Sequence, residues 1–141
     1  MPTFRSVQRV YFDDLDALNI LHNVRYLVFM ERARGELFQS MGLRWRDDIS
    51  QNPDKWHVVA GHEIRYVTPV RGEQEIAIEL AVVHLGTSSL SLGAKVTSVN
   101  GDLTYAECTT RLVRLDYETN RPTSWSDRFR AAIAPYVVAP R

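Results

Sequence analysis

The sequence predicts an α+β fold in which an antiparallel β-sheet wraps around one long α-helix. Three observations predict it. They are a β-branched and aromatic run near the start, one long stretch with apolar residues at helical spacing, and then about four consecutive strand-like stretches separated by turn residues. A strand, a helix and then strands in succession is the α+β order, whereas a parallel sheet would need strands and helices to alternate.

Phe4 to Phe12 carries the β-branched and aromatic residues that favour a first strand. A polar stretch follows, from about Asp13 to Asn23. Apolar residues then recur at Tyr26, Met30, Ala33, Leu37 and Met41, three or four apart as one helix face requires, and Leu27 and Phe38 widen that face. Arg25, Arg32, Glu36 and Gln39 fall opposite, Asn23 is the best candidate for the N-cap, and Gly42 stands where the helix ends. The polar stripe is narrow, so most of the circumference must be covered. From Trp56 onward, strands supply the cover. Ile76, Ile78, Leu80 and Val82 alternate with Ala77, Glu79, Ala81 and Val83, and Leu90, Leu92, Ala94 and Val96 alternate with Ser89, Ser91, Gly93 and Lys95. Asn100-Gly101 predicts a tight two-residue hairpin into a strand from Leu103 to about Arg114. Arg71-Gly72 and Leu85-Gly86 predict two further reversals, which makes the sheet mainly an antiparallel meander. Ser124 to Ala134 predicts a short helix, capped by Ser124 or Ser126 and ended by Pro135.

A length of 141 residues with 45% hydrophobic content suits one domain spanning residues 1–141. Seventeen basic and seventeen acidic residues leave no net charge, so no overall field gathers nucleic acid or an anionic membrane, and neither is expected as a partner. No signal-like or membrane-spanning apolar run is visible, and a cytoplasmic location is expected. Cys108 is the only cysteine, which excludes an internal disulfide and a zinc site built on paired thiolates; it reads as a small buried residue in a strand.

The chemistry concentrates ahead of the helix, where Asp13, Asp14 and Asp16 fall within four positions. Acidic residues near a helix start are favoured by the macrodipole, and that is one account of them. It is weaker for Asp16, which lies seven residues before Asn23 among Ala17, Leu18, Ile20 and Leu21, where a carboxylate is costly without a partner or a task. A calcium loop fails, because Leu18, Asn19 and Arg25 stand where an oxygen ligand, a glycine and a bidentate glutamate belong. Gly-x-Ser-x-Gly is absent, and His22, His57, His62 and His84 make no metal-ligand motif. A carboxylate working without a metal, cofactor or triad remains.

The segment DLDALNILHNVRYLVFMERAR resembles the signature of the 4-hydroxybenzoyl-CoA thioesterase class of hotdog-fold proteins. In that class an Asp-x-Asp loop leads through Asn or His and Tyr into a long helix bearing Glu-x-Ala-Arg. EIRYVTPVRGEQEIAIEL resembles the family's Tyr-x-x-Pro strand and turn, and HLGTSSLSL its Gly-x-x-Ser strand. The resemblance implies an acyl-CoA or acyl-carrier-protein thioesterase with Asp16 as the catalytic carboxylate, acting either as nucleophile or as general base. It further implies that backbone amides at the helix start, at Asn23, polarise the thioester carbonyl. His22 replaces an asparagine or tyrosine of relatives; it reads either as a surface or capping residue, or as one that orients Asp16 or water. Tyr26, Tyr66, Ser88 and Ser89 are the implied substrate-binding residues, with Tyr26 on the core side of its helix. Many relatives carry glycine at Asn19, but asparagine also tolerates left-handed backbone angles, so the turn is expected to survive. Glu31 and Arg34 are spaced to pair on the helix, and Arg34 is also a candidate to reach a neighbouring subunit. The resemblance implies a homodimer, or a homotetramer of paired dimers, with the active site between subunits. A non-catalytic acyl-CoA-binding module of the same fold is the alternative function. Hydratase chemistry would need a different signature.

Overall fold

In the computed structural model, which describes residues 3–138, the first strand is β1 (Phe4–Val10), two residues shorter than expected. Phe12–Asp14 forms a 3-10 turn instead, because the Asp14 carboxylate accepts the Tyr11 amide at 2.9 Å and so competes with strand pairing. The helix α1 (Arg25–Ser40) buries Tyr26, Met30, Ala33 and Leu37 as the spacing predicts, together with Phe29, Arg34 and Phe38. It ends at Gly42, whose φ of +79° is the left-handed conformation that costs glycine least.

Four strands follow, β2 (His57–Tyr66), β3 (Gln74–Leu85), β4 (Ser89–Ser98) and β5 (Thr104–Arg114). All neighbours are antiparallel, in the order β1-β3-β4-β5-β2. Only β3, β4 and β5 form a meander. The expected reversal at Arg71-Gly72 does not fold β2 back onto β3; residues 67–73 carry the chain from one edge of the sheet to the other side of the meander, and β2 pairs with β5. Local turn chemistry marks where a chain bends but carries no information on which strand receives it. The hairpin at Asn100-Gly101 forms, but as a longer loop. Only Gly101 has positive φ (+83°), while Asn100 Oδ1 accepts from Ser98 Oγ at 2.8 Å and from the Asp102 amide at 3.2 Å. Those side-chain bonds stabilise an alternative to the two-residue turn.

Ile76, Ile78, Leu80 and Val82 of β3 and Leu90, Leu92, Ala94 and Val96 of β4 are buried in one cluster with α1, Leu112 and the C-terminal Trp125, Phe129 and Ile133. Each fully buried large aliphatic or aromatic residue here contributes about 1.5–3 kcal/mol. Cys108 is buried in β5, and burial pushes its thiol up, so it is an inert packing residue. The tail forms α2 (Asp127–Ile133), capped by Ser126, whose Oγ accepts the Phe129 amide at 3.1 Å; Pro135 lies in the 3-10 turn that follows. At the sheet's edge, β2 is exposed over most of its length, Val58 and Val59 included. Among the described residues no helix is long and apolar enough to cross a membrane.

Candidate active site

Asp14 and Asp16 are separated by one residue and face different surroundings. Asp14 is buried; Oδ2 takes the Tyr11 amide, Oδ1 lies 3.6 Å from Arg25 Nε, and its carbonyl accepts the His22 amide at 2.9 Å. It joins the 3-10 turn to the start of α1 and is committed to structure. Asp16 organises its own loop through one oxygen, Oδ1, which accepts the Leu18 amide at 2.8 Å and the Ile20 amide at 3.4 Å. Its Oδ2 accepts no hydrogen bond among the described residues. The loop closes through Asn19, whose amide donates to the Asp16 carbonyl at 3.0 Å and whose φ of 60° is the left-handed angle expected of it.

A cavity of about 370 Å³ opens beside Asp16, within the range of small-molecule sites. It is lined by Asn23 and Tyr26 at the start of α1, by Ile20 and Leu21, and by residues 66–69 at the end of β2. The connection that crosses from β2 to β3 is stitched to the Asp16 loop: the Leu21 amide donates to Val70 at 2.8 Å and the Gly72 amide to Asn19 at 2.9 Å. Thus the segment that departs from the meander forms one wall. Sequence reasoning passed over Val67 and Thr68, although they lie inside the Tyr-x-x-Pro stretch; that spacing after a strand was the available signal.

Asn23 does not cap the helix. A capping side chain needs an extended residue ahead of the first turn, but the N-cap position is Val24, itself helical (φ −75°, ψ −21°), and no side chain caps it. The chain enters α1 through a turn closed by the Arg25 amide on the His22 carbonyl at 2.9 Å. Asn23 Oδ1 lies 3.2 Å from His22 Nδ1 instead, and the backbone amides of Asn23 and Val24 donate to no backbone carbonyl among the described residues. Unpartnered amides at a helix start carry partial positive charge. The Asn23 carbonyl accepts the Tyr66 hydroxyl at 2.9 Å, and the Tyr66 ring meets Tyr26 edge-on at 5.1 Å. Burial pushes the Tyr26 phenol up, partly offset by the Val70 backbone, so it stays protonated at neutral pH.

Asp16, Asn23, Tyr26 and Tyr66 therefore converge on one cavity. His22 is exposed and does not line it. Ser88 and Ser89 lie at the β3–β4 turn, where the Ser88 carbonyl accepts the Arg114 amide at 2.8 Å and the Ser89 carbonyl the Trp125 indole at 3.1 Å; they do not line this cavity either. Within one chain, the length of β3 separates them from it.

A carboxylate with one free oxygen, at a cavity that the start of a helix also lines, is an arrangement suited to acyl transfer. The sequence pattern of the thioesterase-like superfamily matches residues 10–133, and the chain belongs to that family, a thioester hydrolase by class. Among curated proteins it is 24% identical over 100 residues to the acyl-CoA thioester hydrolase YbgC of Escherichia coli, covering 71% of this chain and 73% of that one. It is 24% identical over 125 residues to YsmA of Bacillus subtilis, covering 89% and 81%. Among solved structures, a Thermus thermophilus thioesterase complexed with coenzyme A and zinc is 33% identical, with a TM-score of 0.76 and coverage of 96% and 95%. The Pseudomonas aeruginosa protein PA2801, a putative thioesterase, is 28% identical, with a TM-score of 0.79 over 92% and 96%.

Proposed function

We propose that this protein hydrolyses an acyl thioester of coenzyme A, or of a carrier protein, with Asp16 as the catalytic carboxylate and the amides opening α1 as the electrophilic site. One observation carries the reading: Asp16 keeps Oδ2 free at the cavity that Asn23 also lines. Water adds to the thioester carbonyl, the carbon–sulfur bond breaks, and acid and thiol leave. Asp16 either takes the proton from that water or attacks the carbonyl first. In the second route the carbon–sulfur bond breaks as the anhydride forms, the thiolate leaves and takes up a proton, and water then opens the anhydride to the acid and the free carboxylate. The negative charge that develops on the carbonyl oxygen in both routes is stabilised by the Asn23 and Val24 amides. The enzyme acts in the cytoplasm, as a member of the 4-hydroxybenzoyl-CoA thioesterase class.

The reading takes the strands as wrapped around α1 in a hotdog arrangement, with two copies joined along their β2 edges and dimers pairing further into tetramers. The free, largely exposed β2 supports it, since an unpaired strand edge with valines on it is an association surface. A panel of short, long and aromatic acyl-CoAs, followed by thiol release, tests the function. Asp16→Asn is expected to lower kcat by about 10²- to 10⁴-fold, the usual worth of a general base, while acyl-CoA binding is retained. A wild type inert on the whole panel that still binds acyl-CoA sinks catalysis and leaves a binding module.

A further inference from the structure

Arg34 is an unusual cation. It lies on the buried face of α1 with 9% of its surface exposed, yet the one carboxylate near it among the described residues is Glu31, one turn earlier, 3.5 Å away with a side chain 71% exposed. Arg34 Nε is buried and has no acceptor. Burial pushes the guanidinium below its ordinary value, and the exposed Glu31 opposes this only in part. A charge held out of water with an incomplete set of partners is costly, and it persists where something completes it.

Beside Arg34 a cavity of about 360 Å³ opens between α1 and the free edge strand β2. Its walls combine Glu31 and Arg34 with Trp45 and Val59, both more than a third exposed. His57 also lines it but supplies no counter-charge. Its Nδ1 lies 2.7 Å from the Asp54 carbonyl, and burial favours the neutral ring. A small anion would satisfy the guanidinium and leave the apolar walls wet. A protein surface that brings both a carboxylate and apolar cover satisfies both.

We infer that the occupant is a second copy of this chain, whose Glu31 pairs with Arg34 while its own Arg34 takes the first copy's Glu31. This inference rests on the β2-edge dimer. A two-fold axis that pairs two β2 edges antiparallel also sets the two α1 helices antiparallel. Glu31 and Arg34 are three positions apart on one side of the helix, opposite in sign. An axis passing between them therefore matches each with the other twice, as an isologous contact requires. The ion pair is half-made within one helix and completed across the interface.

Analytical ultracentrifugation of wild type, Glu31→Lys and Arg34→Glu, with native mass spectrometry of the two variants mixed, tests it. The wild type is expected to be dimeric, and each variant alone to dimerise at least about 10-fold more weakly, as loss of one member of a desolvated charge pair produces. Mixing is expected to raise the ratio of heterodimer to homodimers several-fold above its statistical value, because the introduced lysine then faces the introduced glutamate and the remaining native pair is intact. A pair confined to one helix leaves the mixture statistical, and that result overturns the contact. Glu31→Lys alters an exposed side chain and stays informative if Arg34→Glu does not fold: a wild-type dimer constant in that variant also overturns it. A monomeric wild type at tens of micromolar overturns the dimer itself, and the contact with it.

Discussion

Asp14 and Asp16 show how little sequence distance separates a carboxylate committed to structure from the one proposed to react. Both oxygens of Asp14 are occupied, by the Tyr11 amide and the Arg25 guanidinium, whereas Asp16 spends one oxygen on its loop and keeps the other free. Tyr66, on another wall of the cavity, is the corresponding candidate for a positioning residue. Its hydroxyl holds the carbonyl of Asn23, and through that peptide it fixes where the Val24 amide points. Tyr66→Phe keeps the ring against Tyr26 and removes only this bond. Losing an oxyanion donor outright costs about 10²- to 10³-fold, and loosening one is expected to lower kcat by about 10-fold. Steady-state kinetics on the best acyl-CoA checks this: KM should stay unchanged, and a fall confined to kcat/KM through KM would refute a positioning role. Asp16 was legible because a carboxylate among apolar loop residues needs a reason. Asn23 was legible only as a position, since its capping role depended on backbone angles that a turn from His22 to Arg25 altered.

At the scale of elements, the C-terminal helix is tied to the strands by one buried acid. Asp54, 2% exposed, accepts the Ser126 amide at 2.8 Å and the Ser126 hydroxyl at 2.5 Å, and lies 3.7 Å from Arg114 Nε. Ser126 in turn caps α2, so one carboxylate fixes the cap, the helix and the end of β5 together. Asp54→Ala removes one member of that set and leaves the largely buried Arg114 without its counter-charge. A loss of about 3 kcal/mol is expected, read as a lower urea midpoint at constant slope. Unchanged stability would mean that water replaces the carboxylate freely. The cap itself was readable from Ser126 and the apolar spacing after it. Its partner was not, because 72 residues separate the two and nothing local in Pro53–Lys55 announces a long-range bond.

For the molecule as a whole, the aromatic cluster around His57 links fold stability to pH. His57 packs against Trp45, Phe38 and Trp125, with ring centroids 5.2, 5.7 and 5.9 Å away, and burial holds its pKa below the ordinary 6.5. The nearby Arg34 lowers it further, while Asp54 opposes both. A histidine neutral in the fold but protonated when unfolded contributes full stability above about pH 6.5. That contribution is lost as pH falls from there toward the folded value, because the unfolded chain then binds the extra proton. Thermal unfolding from pH 7.5 to 5 is expected to show a falling Tm, and His57→Gln a shallower fall; equal slopes for the two proteins would remove His57 as the cause.

The sequence by itself determined most of the elements and where a candidate for chemistry lies. Apolar spacing located α1 to within a residue or two, alternation identified the buried faces of β3 and β4, and a carboxylate stranded among apolar neighbours singled out Asp16. These are local properties, carried by periodicity and by the cost of burying charge. Only the tertiary structure decided that β2 leaves the meander to pair with β5, that residues 67–69 thereby wall the cavity beside Asp16, and that Ser88 and Ser89 stay away from it. Strand order is set by which edges close the core with least exposed apolar surface, a sum over the whole chain that no window of neighbouring residues contains.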